Sequence, residues 1–132
     1  MTQENQELLF KDLCGRIPYG VKCQVYNFSL PYTLSGIIPS RLFWVYQELY
    51  FEELDYKECN GFVDIKHCKP YLFPLSSMTE EQKEEFDRLY TYDALIVEPQ
   101  WKLIDFCNKH HLDYRGLIPM GIAIDATKLN VY

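Results

Sequence analysis

Apolar positions Leu8, Leu9 and Leu13, with Phe10 flanking, recur at helical spacing between Thr2, a capping residue, and Gly15, a stop signal. A short amphipathic helix is expected there. Ile17-Pro18-Tyr19-Gly20 reads as a turn, and in residues 21–28 Val21, Cys23 and Val25 alternate with Lys22, Gln24 and Tyr26, the pattern of a half-buried strand. Residues 32–38 form a second strand candidate, ended by Pro39-Ser40. Residues 42–51 fit a helix face through Leu42, Val45, Tyr46 and Leu49. Their aromatic and β-branched side chains nevertheless favour a pleated surface, and a strand is expected.

Asn60-Gly61 is the clearest local signal, because a two-residue type I′ turn needs positive φ at both central positions. Folding the chain back on that turn sets Lys57 opposite Asp64 and Asp55 opposite Lys66, with Tyr56 and Glu58 facing Ile65 and Val63 on the other side. Two prolines in residues 69–75 assign that stretch to an edge or a surface path. A helix is expected over 80–90, capped by Ser77 or Thr79, with Thr79 and Gln82 at capping-box spacing. Glu98-Pro99 opens a further helix that has Trp101, Ile104 (with Leu103 and Phe106 flanking) and His111 on or beside its inner stripe and ends near 110–112. In the tail, 121–124 reads as a short strand and 125–127 as a turn.

The fold class expected is α+β: an antiparallel β-meander of three to five strands, which could curl into a small barrel-like sheet, packed with an N-terminal helix and two C-terminal helices. No repeat or linker interrupts residues 1–132, so one domain is expected. With 48% apolar residues the chain can bury a core without metal or disulfide staples.

A net charge of −6 and the lack of a basic stripe argue against a nucleic-acid partner, whose binding draws on Lys and Arg. No apolar run is long enough for a membrane span, and Met1 to Glu7 has neither the basic nor the apolar region of a signal peptide, so a cytoplasmic location is expected. The 5 cysteines are an odd number at scattered spacings, which fits reduced, mostly buried thiols.

Candidate chemistry is sparse. Cys107, His110 and His111 stand at i, i+3 and i+4, and Cys59, His67 and Cys68 could join them around a metal, but the spacing is that of no standard zinc motif and no metal site is assigned. Asp105 and Asp113 lie near the same histidines as imaginable acid–base partners. There is no nucleophile elbow, phosphate-cradling loop or metalloprotease helix, so no catalytic residue or cofactor is assigned and an enzyme is not expected. Arg115 beside Tyr114 is a candidate for holding an anionic ligand. Trp44, Tyr46, Tyr50, Tyr56, Tyr71 and Phe73 are candidates for an aromatic interaction face, since the chain carries 11 Tyr, 8 Phe and 2 Trp.

Three segments carry a family resemblance: Asp12-Leu-Cys-Gly-Arg-Ile-Pro-Tyr-Gly-Val21, Lys69-Pro-Tyr-Leu-Phe-Pro-Leu-Ser-Ser-Met-Thr-Glu-Glu-Gln82 and Asp113-Tyr-Arg-Gly-Leu-Ile-Pro-Met-Gly-Ile-Ala-Ile-Asp-Ala-Thr127. They resemble short uncharacterised proteins carried by prophages and mobile elements of gut Bacteroidales. The likeness covers the start and the second half of the chain, while 24–64 carries no motif of that family. It implies a mobile-element accessory protein in a bacterial cytoplasm and no particular chemistry. The function expected first is a non-enzymatic protein-interaction module. A small-ligand or nucleotide-sequestering protein comes second, and a small metal-dependent enzyme third.

Overall fold

Thr2 caps the first helix, α1 (Gln3–Arg16): its Oγ1 accepts the Asn5 N–H at 3.1 Å. The computed structural model describes residues 1–39, 47–55, 60–94 and 100–132. The helix runs through Gly15 rather than stopping there and passes into a 3-10 turn, Ile17–Tyr19, that ends at Gly20 with φ 69°. Gly15 has a different use. A Cβ at that position would stand 2.7 Å from Asn108 Nδ2, so the missing side chain lets the C-terminal part of the protein close onto α1.

Among the described residues seven strands follow: β1 (Lys22–Val25), β2 (Tyr32–Thr33), β3 (Gly36–Pro39), β4 (Gln47–Tyr50), β5 (Phe62–Asp64), β6 (Cys68–Leu72) and β7 (Ile124–Asp125). Two helices, α2 (Glu80–Ala94) and α3 (Gln100–Lys109), pack against each other. The α+β class is as expected. The strands divide between a four-stranded sheet of order β2-β1-β6-β7 and a three-stranded sheet of order β3-β4-β5, with no closed barrel among the described residues. All pairs are antiparallel except β6 with β7. One core joins α1 to both sheets: Leu9 and Leu13 pack with Val21, Cys23 and Val25, with Leu49 and Val63, and with Cys68 and Leu72.

β6 is an interior strand despite Pro70. Tyr26 N–H donates to His67 O at 2.8 Å, which marks 26/67 as a hydrogen-bonding pair, and counting by alternate pairs leaves Cys23/Pro70 as a non-bonding one. The nitrogen of Pro70 therefore points away from β1, on the side where pairing with β7 begins only at Tyr71.

Asn60 and Gly61 do take positive φ, 52° and 84°. The strand that follows, however, pairs with β4, Tyr50 opposite Phe62 and Leu49 opposite Val63. The expected Asp55/Lys66 pair does not form, because Asp55 follows one 3-10 turn (Glu52–Leu54) and Lys66 lies inside another (Ile65–His67). Residues 56–59, which carry the other expected pairs, lie outside the described residues, as do 40–46.

The capping box forms as its spacing requires: Gln82 N–H donates to Thr79 Oγ1 and Thr79 N–H to Gln82 Oε1, both at 3.1 Å. The inner face of α3 differs from expectation. Trp101 and Ile104 are exposed, and Cys107 and Asn108 are buried, with Asn108 lying against Gly15 of α1. No helix is long and apolar enough to cross a membrane among the described residues.

Candidate functional site

Tyr114 and Arg115 sit at a buried ionic junction with α1. Asp12 and Arg16, one helical turn apart, are both 0% exposed, and Arg16 Nε donates to Asp12 Oδ2 at 2.7 Å while its Nη2 reaches Asp12 Oδ1 at 3.1 Å and Leu112 O at 2.7 Å. Arg115 Nε lies 3.3 Å from Asp12 Oδ1. The Tyr114 ring takes both guanidinium groups, with the Cζ of Arg16 and of Arg115 at 5.2 and 5.1 Å from its centroid. Arg115 thus spends much of its field on a carboxylate of its own chain, which weakens it as an anchor for an outside anion.

The sulfur and imidazole groups of α3 diverge. The helix ends at Lys109 and His111 takes φ 57°, so His110 and His111 leave the face on which Cys107 lies. His110 packs on Phe106 and has its Nδ1 3.3 Å from Gln82 Nε2, whereas His111 stacks on Tyr132 with centroids 3.9 Å apart. Burial pushes the Cys107 thiol up to about 11, which keeps it protonated and a poor ligand or nucleophile at neutral pH. Asp113 is occupied by the backbone, one oxygen accepting Leu117 N–H and the other Ile118 N–H, and Asp105 accepts the Tyr19 hydroxyl. On the other side of the chain Cys68 is buried and His67 packs on Tyr26, while Cys59 lies outside the described residues. No group of three His, Cys, Asp or Glu side chains could hold a metal among the described residues.

His111 carries a pH consequence. Burial first, then the Arg16 charge and His110, hold its pKa down at about 4 against 6.5 for a free imidazole. The unfolded chain therefore binds a proton below about 6.5 that the folded chain refuses until about 4, so this contribution is intact above that window and is lost as pH falls through it. The loss is on the order of 2 kcal/mol after allowing for partial solvent contact. In His111→Asn, which tolerates the left-handed backbone and never charges, urea unfolding should show a shallower decline in stability between those two pH values. An unchanged slope would remove His111 from the account.

Of the aromatic candidates, Trp44, Tyr46 and Tyr56 lie outside the described residues. Tyr71 is buried in β6, Phe73 is half-buried against Tyr132, and Tyr50 is half-buried against Phe62 in the other sheet.

A different aromatic surface is exposed where β1 leaves its sheet. Phe28 N–H donates to Val25 O at 3.0 Å, closing a tight turn with Tyr26 at φ 51°, a conformation that costs a bulky L-residue roughly 1–2 kcal/mol. The turn carries the next large side chains to solvent: Tyr26 is 41%, Phe28 40% and Leu30 63% exposed, and Tyr32 is half-buried. Their rings form a chain of contacts, with His67 to Tyr26 at 4.9 Å, Tyr26 to Phe28 at 5.7 Å and Phe28 to Tyr32 at 6.2 Å. Beside it opens a cleft of about 420 Å³ lined by Gln24, Tyr26, Asn27, Lys66, His67 and Lys69. No family model, curated protein or solved structure matches this chain.

The sequence does hold a trace of this surface. Tyr26 falls on the polar side of the alternation that makes β1, and the apolar side chains then continue in steps of two, at Phe28, Leu30 and Tyr32. Reading the alternation only for its inward side hides the outward aromatic.

Proposed function

We propose that this protein is a non-enzymatic binding module that recognises another protein through the Tyr26, Phe28, Leu30 and Tyr32 face. The observation that carries this reading is the exposure of three large apolar side chains within five residues of one another, on a turn whose backbone would be cheaper with Gly or Asn at position 26. That strained backbone holds a ring that packs on His67 and Phe28 and is still 41% exposed, and aromatic anchors surrounded by polar groups are what interface centres use. The resemblance of its three sequence segments to proteins of Bacteroidales prophages and mobile elements supports a setting, that of an accessory protein in a bacterial cytoplasm with a host or phage protein as partner.

The test compares partner capture by the wild-type chain and by Phe28→Ser/Leu30→Ser, with Tyr90→Ser/Trp101→Ser as a control at the exposed face of α2 and α3. Both are surface changes and should move stability by only about 0.5 kcal/mol per site. Proteins held by the wild type should fall by roughly thirtyfold on the first variant and stay on the second. Equal capture by the wild type and the Phe28/Leu30 variant would end this reading.

A further inference from the structure

We propose that the partner segment seated on this face is an acidic peptide, one that sets an apolar side chain on Phe28 and Leu30 and its carboxylates in the adjoining cleft; this rests on the protein-binding reading above. The cleft is bordered by Lys66, His67 and Lys69, and among the described residues no Asp or Glu lines it. In a chain of net charge −6 such a site is a local reversal of sign, next to the exposed aromatic ladder. The Asp64 carboxylate next in sequence is turned to the Lys66 backbone N–H at 3.0 Å. Lys69 stands opposite Gln24 on the solvent face of β1 and β6, and Lys22 follows on that face two residues before Gln24. Cations and rings therefore occupy one continuous strip.

The form of contact is also constrained. β2 is the outer strand of its sheet, but the Thr33 N–H that points off the edge donates to Glu53 Oε1 at 2.8 Å. That carboxylate closes the edge to strand addition. Recognition must then come from side chains, apolar contact on the ladder and charge in the cleft, which gives specificity by pairing two unlike features at a fixed separation.

The probes are a capped synthetic peptide of Phe, Glu, Ser and Gly, the same peptide with Lys for Glu, and adenosine monophosphate, each titrated into the ¹⁵N-labelled protein. The Glu peptide should shift amide signals of Tyr26, Asn27, Phe28, His67 and Lys69, and Lys66→Glu/Lys69→Glu should weaken it by roughly tenfold. Raising salt from about 0.05 to about 0.5 M should weaken it roughly fivefold, since exposed pairs are screened. Equal shifts from the Lys peptide, or none from the Glu peptide, would overturn the acidic partner. Stronger shifts from the nucleotide would replace it with a small-molecule site. Failure here is separable from failure of the protein-binding reading: capture lost on Phe28→Ser/Leu30→Ser but kept on Lys66→Glu/Lys69→Glu would leave an interaction face whose partner is not acidic.

Discussion

Asp12→Ala should cost the fold about 3–5 kcal/mol, because it strands a guanidinium that is 0% exposed. Arg16 would keep Leu112 O at 2.7 Å as its remaining anionic or carbonyl partner, and Arg115 would lose the carboxylate 3.3 Å away. The positive charge cannot move to water, since Leu9 and Leu13 on the same helix are packed into the core. In urea titration the midpoint should drop with little change in slope. The double variant Asp12→Ala/Arg16→Met should recover much of the loss, because a buried pair replaced by apolar side chains is often neutral while a broken pair is not. A single variant within about 1 kcal/mol of wild type would mean that the pair is solvated, contrary to its burial.

Gly61→Ala is the second large effect, about 2–4 kcal/mol, and it has two sources. Gly61 holds φ 84°, and an added Cβ would stand 2.7 Å from Tyr50 Cε2 and 2.9 Å from Phe51 O. The ring could turn. The carbonyl cannot move cheaply, because Phe51 is buried and its own N–H donates to Gly61 O at 2.8 Å. Gly20→Ala separates the two sources: it has a comparable φ of 69° with nothing within 4 Å among the described residues, so it should show the backbone cost alone, about 1 kcal/mol. Equal unfolding free energies for the two variants would refute the close approach between the turn and β4.

These two sites also mark where the sequence is legible and where it is not. Signals that act within one turn of chain were readable: the Thr2 cap, the Thr79/Gln82 box, and the positive φ of Asn60 and Gly61 all concern groups a few residues apart. Pairings across the chain were not. The pairing of β6 with β1 depends on which side of the strand the Pro70 nitrogen faces, a matter of register and not of composition. Gly15 reads as a helix stop until Asn108 is known to lie against it. Arg115 and Tyr114 were visible as a pair, but their neutralisation by Asp12 joins residues about a hundred positions apart, and no periodicity reports that. The candidate site was half legible, as an outward Tyr26 on an otherwise polar strand face; its cations come from β6 and the turn before it.

Tyr26 sets two selective pressures against each other. At φ 51° the backbone favours Gly or Asn, so a sequence tuned only for resistance to unfolding would give up the tyrosine. With it would go the ring that joins His67 to Phe28, the hinge between the charged and apolar halves of the strip. Retaining Tyr there means accepting a less stable turn in exchange for a surface, and thermostability screens of this protein would erode the proposed recognition face first at that residue.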